Sequence, residues 1–386
     1  MRLDLSFVVD RTQSRDRAPW DLRLGALLAA ITLVFAACGG PGPGDTPAGA
    51  TPGGSPTGTP DAGTSPGGTP AATVDAGTSP GGDAGGYPER NITFVVPFSA
   101  GGPTDTVTRL IAGPMSADLG VQILVMNVEG AGGTVAAGQV SQEEPDGYTV
   151  LMHHIGMSTA PTLYPDLPYD PVEDFETIGL VTEVPMTIIG APDFPPETLE
   201  ELVDYVTENV DTVTYANAGV GAASHLCGLL IEDALGVDLT EASYEGTGPA
   251  MTDLLGGHVD FMCDQTTNTT EQILAGEVKG YAVTTPETVE SLPDLPTTAD
   301  GGMPDVQVSV WHGLYVPAGT PENVVQRLTQ ALQAALQEQE VIDRLGDLGA
   351  APVSQDRATP EAHTQLLQEQ TELWRPFLES PASPSP

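Results

Sequence analysis

The sequence predicts an α/β protein built as two lobes around a ligand cleft, and three observations carry that prediction. Two glycine-rich turns, Pro97 to Asp105 and Glu129 to Thr134, each join a β-branched apolar run to a small-residue helical pattern. Strand and helix patterns then alternate, which implies a parallel sheet with ligands at the carboxyl ends of its strands. The alternation starts afresh near Met186. Crossings near 188 and 310 divide the body into lobe 1 (87–188 and 310–386) and lobe 2 (189–309).

The first segments are not globular. Arg11, Arg15, Arg17 and Arg23 precede an apolar stretch from Leu24 to Ala37, too short to span a bilayer but suited to the core of an export signal. It ends in Phe35-Ala36-Ala37-Cys38-Gly39, which resembles the lipobox of bacterial lipoproteins. Residues 1–37 are therefore expected to be a signal peptide and Cys38 a lipid anchor on the outer face of the cytoplasmic membrane; plain secretion with an unused thiol is the alternative. From Gly39 to Gly86 the chain is Gly, Pro, Ser, Thr, Ala and Asp with almost no large apolar residue, and the run Asp61 to Gly68 recurs as Asp75 to Gly82. Such a composition buries too little surface to offset its conformational entropy, so 38–86 reads as a disordered stalk about 40 Å long on average.

Across 386 residues the formal charge is −41, with 12 basic residues and Lys279 as the only lysine. That balance excludes nucleic acid and anionic lipid surfaces as partners. It also means that an anionic ligand must be recognised by neutral donors and helix ends. Arg109 is the only basic residue close in sequence to the glycine turns, and an ion-pair role for it is equally open.

The body opens with a strand over Ile92 to Pro97 and a helix from Thr104 to Leu119, with Val107, Leu110, Ile111, Met115 and Leu119 at helical spacing and Thr104 or Asp105 able to cap it. A strand from Val121 to Val128, the second glycine turn, a helix over Thr134 to Gln142 and a strand at Tyr148 to His153 follow. The second unit holds a strand near Met186 to Gly190, a helix at Thr198 to Glu208 and a strand at Thr214 to Ala216. A third glycine turn, Asn217 to His225, opens a helix to Leu235. Helices at Ala250 to Leu255 and Thr270 to Ala275 are interleaved with strands at Val259 to Cys263 and Tyr281 to Thr284. After Val306 to Val316 come helices from Pro321 to Leu336, Glu338 to Leu348 and Pro360 to Phe377. A strand that ends in a side-chain-poor turn and opens a helix presents amide donors and the positive helix end, which suits a carboxylate.

From Tyr87 to about Ser380 the chain closely resembles the solute-binding proteins of the tripartite tricarboxylate transporter system, the Bug or TctC-like receptors. The matching strings include Ile92 to Asp105, Asn127 to Gly133, Pro145 to Thr149, Leu167 to Pro171, Ser224-His225-Leu226, Tyr244 to Ala250, Asp253 to Asp260 and Trp311 to Leu314. The resemblance implies a periplasmic-binding-protein fold of type II that closes around a small carboxylate, with the two glycine loops as a pincer. By motif, Phe98, Ser99, Ala100, Gly101, Gly102, Thr104 and Asp105 form the first jaw, and Ala131, Gly132, Gly133 and Thr134 the second. The far lobe supplies Ala218, Gly219, Val220, Ser224 and His225, with Thr247 and Asp264 as distal contacts. The implied partners are one large and one small integral membrane permease subunit, the receptor itself being a monomer.

Export places Cys227 and Cys263 in an oxidising setting, so a disulfide between them is expected, worth about 3–4 kcal/mol for a loop of this length; two buried thiols are the alternative. His153, His154, His225 and His312 lie at no recognisable ligand spacing, so no metal is expected. No cofactor is implied, and Gly-x-Ser-x-Gly, phosphate-loop and His-Glu-x-x-His motifs are missing, so no catalysis is expected. The function read from the sequence is capture of a small organic carboxylate, with one or two carboxylates favoured over three by the scarcity of cations. The alternatives are a carboxylate-sensing receptor without its own permease and a surface protein that binds no small molecule.

Overall fold

The computed structural model describes residues 86–379. The signal segment, Cys38 and residues 39–85 lie outside the described residues. In chain order the first half contains β1 (Ile92–Val96), α1 (Pro103–Leu119), β2 (Ile123–Asn127), a 3₁₀ turn (Ala131–Gly133) running into α2 (Thr134–Val140), β3 (Thr149–His154) and α3 (Gly156–Leu163). A long strand, β4 (Phe175–Gly190), leads to α4 (Leu199–Asn209), β5 (Thr214–Asn217), α5 (Ala223–Leu235), β6 (Thr240–Ser243), α6 (Thr247–Leu255), β7 (Phe261–Gln265), α7 (Thr266–Ala275) and β8 (Lys279–Val283). The chain returns through β9 (Ser309–Pro317) to α8 (Glu322–Ala335), α9 (Gln339–Asp347), β10 (Ala351–Pro352) and α10 (Pro360–Leu378).

The strands form one sheet in the order β2-β1-β3-β9-β4-β7-β5-β6, with β8 and β10 also on β4. β4 belongs to both halves: up to Pro185 it runs antiparallel to β9, and from Met186 to Gly190 it lies between β7 and β8. Its 16 residues are nearly all buried, and β-branched side chains at Thr177, Ile178, Val181, Thr182, Val184, Thr187, Ile188 and Ile189 suit a strand covered on both faces. Register shifts beside Gly179 and Leu180 interrupt its pairing with β9 and let it bend. The sequence reading captured only the end of this strand, because Gly179 and Pro185 break up the apolar pattern.

Each half is a small α/β sandwich. β1 pairs in parallel with β2 and β3, and β5 in parallel with β6 and β7. Ile92 and Phe94 are completely buried in the first half, as are Ile188, Ile189 and Tyr215 in the second. Each such side chain contributes roughly 1.5–3 kcal/mol relative to exposure. A disulfide joins Cys227 on α5 to Cys263 on β7, both fully buried, with Cα atoms 6.1 Å apart. Two boundaries differ from the sequence reading in a way that bears on function. α6 begins at Thr247 and α7 at Thr266, each three or four residues before the expected start. The Gly248-Pro249 pair and the threonine run from Thr266 read locally as turn, but proline is tolerated in a first helical turn. Among the described residues no helix is long and apolar enough to cross a membrane.

Candidate functional site

Four helices begin at one buried cavity between the two halves. The first half lines it with Phe98, Pro103, Thr104 and His154; the second with Ala218, Ala222, Ala223, Ser224, Thr247, Asp264 and Gln265. Pro103, Thr104, Ala222, Ala223, Ser224, Thr247 and Gln265 are first-turn or N-cap residues of α1, α5, α6 and α7, and none of the four helices carries a side-chain cap. By contrast α4 and α10, which begin elsewhere, are closed by Thr198 accepting from the Glu201 amide and Thr359 accepting from the Ala362 amide. Uncapped first turns leave amide donors and the positive end of each helix dipole directed at the cavity. Its volume is about 20 Å³, close to that of a single water.

No arginine or lysine lines the cavity. The imidazole at its wall, His154, is held far below the usual histidine range by burial and by its neighbours His153 and His312. Burial takes His153 down to about 4 and His312 down to about 3. The three rings pack edge to face, His153 on His154 at 5.2 Å and His154 on His312 at 6.0 Å, with Phe98 4.7 Å from His154. They form a neutral floor, and among the described residues no group of three or more His, Cys, Asp or Glu side chains is placed to hold a metal ion. The charged residue of the cavity is Asp264, 1% exposed, whose Oδ2 accepts from Asn268 Nδ2 at 2.6 Å. Burial pushes its carboxyl up to about 6, against hydrogen bonds from Asn268, the Gln265 amide and Thr247.

The two glycine loops are arranged differently from each other. In the first, the expected capping of α1 by Thr104 or Asp105 does not occur: Gly102 is the N-cap. The Asp105 carboxylate instead turns back to accept from the Gly101 amide at 2.9 Å, from Arg109 Nε at 2.8 Å and from Asn127 Nδ2 at 3.0 Å. Burial alone would raise this carboxyl, but those bonds outweigh it and hold it below the usual range. The Ser99 amide donates to the Glu245 carbonyl across the cleft at 3.0 Å, and Gly102 donates to Ser99. In the second loop, Ala131, Gly132 and Gly133 all take the left-handed backbone region, and Gly133 donates to Gly130. This loop lies against the third glycine turn so closely that a Cβ on Gly132 would collide with the Val220 carbonyl. Tyr164 Oη donates to the same carbonyl at 2.8 Å, and Thr159 Oγ1 to the Gly221 carbonyl at 3.2 Å. The halves are closed on each other.

Of the residues singled out in the sequence, Phe98, Thr104, Ala218, Ser224, Thr247 and Asp264 line the cavity. Ser99, Ala100, Gly101 and Gly102 lie in the loop that leads into α1 and Asp105 in the first turn of that helix, and none of the five lines this cavity. Of the second jaw, Gly132 lies against Gly219 and Val220 at the contact between halves, Gly133 lies against His153 and Phe98, and neither they nor Ala131 and Thr134 line the cavity. Ser224 and His225 also serve their own turn: Ser224 Oγ accepts from the Ala218 amide at 2.8 Å and His225 Nδ1 from the Gly221 amide at 3.2 Å. Pro103, His154, Ala222, Ala223 and Gln265 were missed, and all but His154 are first-turn or cap positions that correct helix boundaries would have revealed.

Residues 107–381 match the TctC family, described as the tripartite tricarboxylate transporter family receptor. Over 286 residues the chain is 51% identical to a UPF0065 protein from the TAR-I ttuE-ttuC' intergenic region of Agrobacterium vitis, covering 74% of this chain and 83% of that one. The structure of the periplasmic binding protein BugD aligns with a TM-score of 0.75 at 50% identity, covering 76% of this chain and 98% of its own. MatC from Rhodopseudomonas palustris, solved with bound malate, aligns with a TM-score of 0.74 at 41% identity, covering 76% and 100%. The two-lobed α/β fold is thus that of periplasmic binding proteins, and the chain belongs to the TctC family of tripartite tricarboxylate transporter receptors.

Proposed function

We propose that this protein is an exported receptor that captures a small organic carboxylate between its lobes and delivers it to a tripartite-type secondary transporter. The observation that carries this reading is the meeting of four uncapped helix N-termini at a cavity without arginine or lysine. Such a site binds an anion through main-chain donors, and a similar protein, MatC, was solved with malate. A cavity of about 20 Å³ admits no organic acid, so capture begins from an open form. β4 and β9 are the strands on which the lobes turn, near 188 and 310, and the closed form is the one offered to the permease. The glycine loops and the third glycine turn are the closing surfaces, the protein performs no chemistry on its ligand, and a lipid on Cys38 keeps it at the membrane.

A thermal-shift screen across carboxylic acids tests this: a ligand at 100 times its dissociation constant stabilises the fold by about 2.7 kcal/mol. Absence of a shift from every carboxylate would remove the reading. The Cys227–Cys263 bond is checked by thiol titration of the unreduced, unfolded chain, in which this pair should contribute no free thiol.

A further inference from the structure

The four helix ends at the cavity are not equivalent, and the difference concerns what the ligand must carry besides a carboxylate. Asp264 sits between two of them: it immediately precedes Gln265, the N-cap of α7, and hydrogen-bonds to the Gln265 amide and to Thr247, the first residue of α6. Its carboxylate, when ionised, lies against those two positive ends. The other two, α1 at Pro103 and Thr104 and α5 at Ala223 and Ser224, meet no carboxylate in the cavity, because the one acidic side chain in the first turn of α1, Asp105, is turned away to Gly101 and Arg109. A ligand carboxylate docked on α1 and α5 therefore shares a small, water-poor space with the Asp264 carboxylate. No basic side chain lines the cavity to separate the two charges, and the imidazole facing them, His154, is neutral.

Resting on the carboxylate-receptor reading above, we infer that Asp264 is a specificity-determining residue that selects acids bearing a hydrogen-bond donor, hydroxyl or ammonium, beside the carboxylate. The donor turns the unfavourable neighbour into a partner: Asp264 accepts from it while the ligand carboxylate takes the amides of α1 and α5. Such a site discriminates strongly, because a ligand lacking the donor sets its own carboxylate against the buried Asp264 carboxylate at short range with no proton between them.

The test uses the mature chain and matched three-, four- and five-carbon series, each containing a parent acid, its 2-hydroxy and its 2-amino derivative, titrated by calorimetry at pH 7.5. At the chain length that binds, a substituted acid should bind at least 10-fold more tightly than its parent; which substituent wins distinguishes hydroxyl from ammonium. Asp264→Asn, isosteric and uncharged, should bring the ratio to within about threefold by weakening the substituted acid and strengthening the parent; Asp264→Ser serves if the amide variant does not fold. Equal or tighter binding of the parent acid by the wild-type chain overturns the inference. So does an unchanged ratio in a folded Asp264 variant, or failure of all three series. If other carboxylates bind when these do not, the receptor reading survives and this inference falls; if no carboxylate of any kind binds, the receptor reading has failed.

Discussion

The two glycine loops look alike in sequence and do different work in the fold. The first leads into α1 and places Phe98 and Thr104 in the cavity wall, while the donors of Ser99, Gly101 and Gly102 are taken by Glu245, Asp105 and Ser99. The second contributes no side chain to the cavity; three successive left-handed residues bring its main chain against the Val220 carbonyl. One loop shapes the chamber and the other shuts it. Two glycine-rich turns at strand ends thus differ in whether the following helix end faces the chamber and in whether the protein's own carbonyls and carboxylates already occupy the donors.

His153 and His154 pack against Phe98 of the first loop, and His153 lies beside Gly133 of the second; with the other buried imidazoles they must stay neutral, so acid should weaken the whole fold, and this is the largest effect expected. Burial holds His153 and His225 down to about 4, His363 to about 3, and, together with neighbouring imidazoles, His312 to about 3 and His154 well below its ordinary value. A lowered histidine contributes stability that is full above the unfolded value of 6.5 and is lost as pH falls through the folded value. Asp264, pushed up to about 6, Glu241, pushed up to about 7, and Glu232, also raised, work in the opposite sense. The imidazoles outnumber these carboxyls, and each unbalanced proton is worth about 1.4 kcal/mol per pH unit. Thermal stability should therefore fall between pH 6.5 and 4; a midpoint that rises over that range would show that the floor is not neutral.

The comparison is sharpened next at Gly132. Its φ of 61° and the missing space for a Cβ mean that Gly132→Ala should hold the halves apart and weaken binding of any active acid by about 100-fold, or about 2.7 kcal/mol. The fold itself should lose only about 1–2 kcal/mol for a left-handed alanine. Gly102 is the contrasting case. Its φ is −78°, and a Cβ there would meet Ser99 O at 3.4 Å and the Gly248 amide nitrogen at 3.7 Å, an ordinary environment. Gly102→Ala should change affinity by less than about threefold, within 0.7 kcal/mol. Titration calorimetry on the two variants decides between them: equal losses would make both loops ligand grips, and no loss at Gly132 would remove the closing contact.

Most helices and the short strands were legible because their signals are local. α1 declares itself by Val107, Ile111 and Met115 at helical spacing, and α10 by Thr359 followed by Pro360. The early starts of α6 and α7 were not legible, since Gly248-Pro249 and the threonines from Thr266 have weak helical preference and are held by packing. Nor was the first part of β4, whose pairing with β9 joins residues more than a hundred positions apart. The role of Asp105 was open in the sequence between cap and ligand contact; it does not cap α1, and its side chain ties Gly101 to Arg109 and Asn127.

By itself the sequence determined an alternating α/β chain with three glycine turns at strand ends and so few cations that any anion must be met by neutral donors. Those properties depend on residue type and short-range spacing, which act before the chain has folded. Only the tertiary structure decided which helix ends share one chamber, which glycine loop closes it, and that Asp264 stands between two of those ends. The physical reason is that β4 pairs Asp264 with Thr187 across the sheet and packs helices from distant parts of the chain on either side. Dipoles, burial and steric contact add up through space, and no local stretch of residues encodes that sum.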